Sequence, residues 1–275
     1  MELREAIGRR RSMRFLLPHK PVELDKIQRM LEAARLASHW GNVNSLRALV
    51  IEREKASAEV VEALSNTIGG YQIQLAPVVI VWYIETAATD QIGTRLRELV
   101  HVGAIGYGPN KAAAMESSIV PNMERAGAAL KAPGMGEIDC GQGIAQATLM
   151  AFEQGLGTCC LGCMDLDRVR RRLGLPDTCR VLISQTVGYP AEDPHAGGQR
   201  PRLPFETLFQ LNAYGNAFPR NPEVVEDLQQ TGMFQQPAPL PWREAELQYL
   251  RRALNLKGEG LVPSDSVVAE LRTKG

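Results

Sequence analysis

The stretch LAPVVIVWYIE, residues 75–85, constrains this chain more than any other. It has strand length, is rich in β-branched and aromatic residues, and carries no charge before its last position, so it predicts a strand apolar enough to lie buried in a sheet. SLRALVIE (45–52) and CRVLISQTVGYP (179–190) read as further strands, and a short helix at 56–66 connects the first two. Helices are expected at 2–9 and 23–37, the second with Leu24, Ile27, Leu31 and Ala34 on one apolar face. IDCGQGIAQATLMAFEQGLG (138–157) predicts a helix of small residues, closed by Gly155 or Gly157 and central to the core. LDRVRRRLGLP forms a short helix stopped by Gly174 and Pro176, and another helix is expected near 204–213.

Two regions resist this pattern. Residues 86–136 are broken by glycines and prolines, which fits either a mobile lid or a set of irregular helices. The tail, 214–275, has polar, proline-containing linkers and two expected helices, 242–255 and 265–273, with Ser264, Asp265 and Ser266 as candidate caps of the second. It is expected to pack on its own subunit or on a partner rather than to build a core. Residues 1–213 then form the main domain and 214–275 an extension.

Charge narrows the class of partner. Lys+Arg and Asp+Glu are equal at 31, so there is no global positive field for nucleic acid or an anionic membrane, and a small molecule is the expected partner. The N-terminus MELREAIGRRRSMRF is charged where a secretory signal needs an apolar run, and no stretch reaches membrane-spanning length. The expectation is a cytoplasmic protein with free thiols among its five cysteines.

Three alternations carry candidate chemistry. In RRSMR, Arg10, Ser12 and Arg14 project to one side of an extended segment, and two guanidinium forks with a hydroxyl suit a phosphate dianion. In QRPRLP, Arg200 and Arg202 share a face of a segment held extended by Pro201 and Pro204. In GNVNS, Asn42 and Asn44 would point the same way at the mouth of a strand and offer amides to a ring cofactor. Taken singly, each also fits a plain surface: a solvated basic patch, a solvated loop, a turn cap.

In order, RRSMRxF, LEAARLASHWGNVN, LAPVVIV, a small-residue helix ending EQGLGTCCLG, VGYP and RPRLP resemble the FMN-dependent nitroreductase-like family, over about residues 3 to 210. The resemblance implies an α+β fold: a central, mostly antiparallel sheet flanked by helices, homodimeric, with two FMN sites at the subunit interface. It implies that Arg10, Arg11, Ser12 and Arg14 hold the FMN phosphate and ribityl end, with Arg200 and Arg202 completing the clamp. Asn42, with Asn44 beside it, would contact the flavin, and Leu161 and Gly162 would present main-chain groups near its reactive nitrogen. The implied reaction is two-step: NADH or NADPH reduces the flavin, and a quinone, nitroaromatic or related acceptor reoxidises it. The flavin carries the chemistry, so no catalytic side chain is assigned.

The departures lie in ASHWGNVNSLRALV, where Ser38, His39 and Trp40 replace the family's Pro-Ser-small and Asn44 replaces Gln. His39 and Trp40 are candidate pocket residues, or a surface His and a packing Trp. These changes keep open a specialised reaction on the same scaffold, such as substrate dehydrogenation, dehalogenation or flavin fragmentation, and, in another class, a flavin-binding or regulatory dimer without turnover. Cys160-Leu-Gly-Cys163 has the spacing of a metal-ligand pair but lacks a second pair, so no metal site is expected, and the cysteines are read as small packing residues.

Overall fold

A computed structural model describes residues 1–253, Ser266 and residues 268–270. Helices α1 (Leu3–Arg9) and α2 (Leu24–Arg35) lead into β1 (Leu46–Glu52), α3 (Ala58–Ser65), α4 (Gly70–Leu75) and β2 (Val78–Glu85). Then come α5 (Ile92–His101), α6 (Lys111–Ala114) and α7 (Val120–Lys131), the last two joined by a π turn at Met115–Ile119. The long α8 (Met135–Glu153), β3 (Gly157–Leu161), α9 (Leu166–Arg172) and β4 (Cys179–Gly188) follow, and α10 (Phe205–Leu208), α11 (Pro222–Gln230) and α12 (Arg243–Ala253) lie beyond them.

The strands form one antiparallel sheet in the order β1-β2-β4-β3, which puts the apolar run of β2 in the interior. Its alternate residues serve two cores. Val78, Ile80 and Trp82 pack with Ile27, Met30 and Ala34 of α2 and with Ala147 and Ala151 of α8. Val79 and Val81 pack with Ala63 and Leu64 of α3, Ile73 of α4 and Val169 of α9. A strand covered on both faces has no use for polar positions, which is why its sequence shows no alternation. Gly143 of α8 lets that helix lie close to α2, since a Cβ there would stand 3.2 Å from the Ala34 carbonyl. Among the described residues, no helix is long and apolar enough to cross a membrane.

Of the two forms expected for residues 86–136, the structure shows the set of helices, which share a small core of Val43, Ile92, Leu96, Val100, Met115 and Val120 and are separated by the glycine-containing stretch 102–110. Other expectations change. The helix near 204–213 is a single turn, because left-handed Asn212 and Gly215 fold the chain back and Gln210 bridges Ala217. The helix α11 was not anticipated, although Asn221 caps it by accepting from Glu223 N–H at 2.9 Å and Pro222 opens it. The extension contacts its own chain: Arg4 pairs with Asp227, and Leu250 and Val268 are buried with Tyr71 and Leu75. Most of the helix expected at 265–273, with Ser264 and Asp265 as caps, lies outside the described residues.

Candidate functional site

The basic segment after α1 runs extended along the free edge of β3. Ser12 forms a parallel bridge with Thr158, and Met13 N–H donates to the Thr158 carbonyl at 2.9 Å. Gly157 makes this approach possible: a Cβ there would stand 2.8 Å from the Met13 side chain. The glycines of the GLGTCCLGC stretch therefore place the segment. Gly155 ends α8 in the left-handed region at φ +75°, and a Cβ on Gly162 would meet open space.

Glu192, which no local sequence pattern singles out, organises this edge. Its carboxylate is buried and accepts from Arg14 N–H at 2.8 Å and Phe15 N–H at 3.3 Å, while pairing with Arg11 at 3.2 Å. A buried carboxylate is tolerable only when charges and donors surround it, and here all three come from the RRSMRF segment. Arg11 accordingly points inward, donating also to the Asp193 and Pro194 carbonyls, and it is the one member of the cluster whose guanidinium is buried in protein contacts. Arg14 is left exposed on the other side.

Arg200 joins from far away in sequence. Its guanidinium donates to the carbonyls of Ala196 and Gly198, and burial together with the nearby Arg11 and Arg14 charges lowers its pKa from the ordinary value. One member of each sequence pair, Arg14 and Arg200, thus lies in the same charged cluster with Arg11, while Arg10 lies nearer Cys160, and the guanidiniums outnumber the single buried carboxylate. Arg202 is exposed and donates to the Pro201 carbonyl at 3.0 Å. Tyr71 lies under the cluster against Phe15, its phenol pushed up to about 12 by burial.

Of the cysteines beside this edge, Cys159 is buried, Cys163 lies 3.4 Å from the Ser184 hydroxyl, and Cys160 is exposed. Burial raises the Cys159 and Cys163 thiols, which disfavours their thiolate forms. Among the described residues, no group of three His, Cys, Asp or Glu could hold a metal ion.

The Asn42 and Asn44 region differs from expectation. It is a tight turn, not an extended segment: Gly41, Asn42 and Asn44 have φ of +53°, +55° and +53°. Asn44 turns inward, its amide donating to the Asn42 carbonyl at 2.6 Å and to the Asn42 side chain at 3.1 Å. Asn tolerates this backbone better than other non-glycine residues, which explains the pair of asparagines without reference to a ligand. Trp40 packs on the small core of α5 and α7, and its backbone N–H donates to the Asp139 carboxylate of α8 at 2.8 Å. His39 is half-buried, with Nδ1 unpartnered among the described residues, and burial lowers its pKa.

The two halves lie at diagonally opposite corners of the sheet. The Asn turn enters β1 at Leu46, while Ser12 pairs with Thr158, in register through Val187 and Val78 with Glu52 at the far end of β1. Four strand spacings separate them across the sheet, roughly 19 Å, and the length of β1 separates them along it.

Against known proteins, the model of the nitroreductase family matches residues 7–189. An NADPH-dependent oxidoreductase of Staphylococcus haemolyticus is 34% identical over 94 residues, 34% of this chain and 37% of that protein. One from Staphylococcus aureus is 37% identical over 95 residues, 34% of this chain and 38% of that protein, so the chain spans little more than a third of the curated relatives it matches. Among solved structures, a nitroreductase-type protein of Exiguobacterium sibiricum in complex with FMN superimposes with a TM-score of 0.63 at 22% identity, covering 77% of this chain and 98% of that one. A nitroreductase-like protein of Streptococcus mutans gives 0.62 at 19%, covering 76% and 97%. At these identities the likeness is one of fold.

Proposed function

The chain belongs to the nitroreductase family, and from that premise we propose that it is an FMN-dependent oxidoreductase whose cofactor site is shared between two copies of the chain. The observation that carries the reading is the edge of β3, where the buried Glu192 carboxylate anchors Arg11 and the Arg14 backbone and Arg200 lies close enough to feel both guanidiniums, so that positive charge exceeds its protein counter-charge. That arrangement fits the phosphate of FMN: guanidiniums fixed by backbone contacts bind a dianion without having to be ordered first. Arg10, Ser12, Arg14, Arg200 and Arg202 would hold the phosphate and ribityl end, while Arg11 acts from inside by positioning the segment. Leu161 and Gly162 would offer main-chain groups to the ring, with room above Gly162 for a close approach. When FMN is bound it supplies hydride transfer, from NADH or NADPH to a small acceptor such as a quinone or nitroaromatic.

The diagonal separation of the two halves supports a homodimer. Within one chain, the Asn42 turn and the arginine edge face away across the sheet, whereas a second copy can bring its own Asn42, His39 and Trp40 to the first copy's arginines. Met135 and Ile138 on α8 are exposed apolar residues on a helix whose other side is already packed, and a second copy would cover them. The test is optical. The purified protein should be yellow and should bleach with NADH or NADPH; a colourless protein that takes up no added FMN would overturn the proposal.

A further inference from the structure

The C-terminal extension lies outside the stretch that the family model matches, yet it touches the arginine edge at two separate points. Arg243, opening α12, stands 3.7 Å from the same Glu192 oxygen that Arg11 contacts. It also pairs with Glu246, whose other oxygen accepts from Asp193 N–H at 2.6 Å, so the carboxylate loop is gripped on both sides. Farther along, Gln199 N–H donates to the Gln236 carbonyl at 2.7 Å, and the Gln199 side chain accepts from Gln235 N–H at 3.1 Å. Gly198 permits this crossing: its φ is +68°, and a Cβ would stand 2.8 Å from the Gln236 oxygen. Gln199 immediately precedes Arg200, so this second contact fixes the backbone that carries the arginine.

We propose that the extension is a working part of the anion site, with Arg243 as its positioning residue. Of the two carboxylate oxygens, Oε1 is held by two backbone N–H groups and Oε2 by the Arg11 guanidinium. With Arg243 on the other flank of Oε2, the orientation of the carboxylate is set. Arg243 therefore acts on phosphate binding through Glu192, while residues 235–237 act through Gln199 on Arg200. This inference rests on reading the β3 edge as an anion site.

The full-length chain tests it with inorganic phosphate as the probe, followed by thermal unfolding, and with FMN and riboflavin titrated in parallel. Phosphate should raise the melting midpoint of the wild type, and this rise should shrink in Arg243→Met and in Gly198→Ala but persist largely in Arg243→Lys. The FMN Kd of Arg243→Met should rise about tenfold, the scale of one lost charge-assisted contact, while riboflavin, which lacks the phosphate, should change less than about twofold. A merely structural role for the extension would weaken both flavins alike, and that result would overturn the inference, as would a wild type indifferent to phosphate. If phosphate binds and FMN does not, the flavin reading falls while the role of Arg243 stands.

Discussion

The arginine edge beside β3 and the asparagine turn before β1 come from the same chain and are built in opposite ways. At the arginine edge, one buried carboxylate, the backbone carbonyls of Asp193 and Pro194 and a strand bridge fix the segment before any ligand arrives. At the asparagine turn, the Asn44 amide donates to Asn42, and the backbone of both residues is held in a left-handed conformation that few residues accept. One half is an edge preorganised by long-range contacts and carrying surplus positive charge; the other is a compact turn shaped by its own backbone.

The contrast can be broken most forcefully at Glu192. Glu192→Gln leaves the Arg11 guanidinium buried without its counter-charge and should cost about 3–5 kcal/mol in urea unfolding; a loss under about 1 kcal/mol would show that the edge is not held this way. Arg14→Met and Arg200→Met sharpen the same point, because they should each weaken FMN binding about 10- to 100-fold in flavin titrations. Arg14→Met should do so with little change in stability, since its side chain is exposed. At the turn, Asn42→Ala should cost about 1–2 kcal/mol of stability and Asn42→Gly almost nothing, as the left-handed backbone penalises a Cβ. The smallest effect concerns His39. Burial, opposed by Asp139 and aided by Arg47, lowers its pKa below 6.5. The unfolded chain therefore binds the proton first, so this contribution is complete above pH 6.5 and is lost as pH falls toward the folded-state value. His39→Gln should flatten the slope of unfolding stability in that window.

Much of the fold was legible because periodicity and apolar runs record burial directly. β2, α2 and α8 show what covers them, in an unbroken apolar run, an apolar face and a stripe of small residues. What escaped depends on local backbone chemistry or on long-range pairing. Asn212 and Gly215 turn a weakly amphipathic stretch into a hairpin, and Asn221-Pro222 starts a helix inside what reads as a linker. At the arginine edge, the alternation of RRSMR matches an extended segment in which Arg11 and Met13 turn inward and Arg14 outward, with Ser12 bridging Thr158. The same logic failed at Asn42 and Asn44, where Gly-Asn chemistry favours a turn. Glu192 and Arg243 left no local signal, since their meaning lies in partners 178 and 51 residues away.

A mixed-dimer experiment addresses the shared site most directly. One variant carries Arg14→Met and Arg200→Met, the other Asn42→Asp, and neither should hold FMN tightly by itself. When the two are co-assembled, one of the two sites in each heterodimer combines intact arginines from one chain with an intact Asn42 from the other. One tightly bound FMN per heterodimer is the expected result. No recovery of binding in heterodimers verified by mass would contradict the account, because it would mean that both halves act within a single chain.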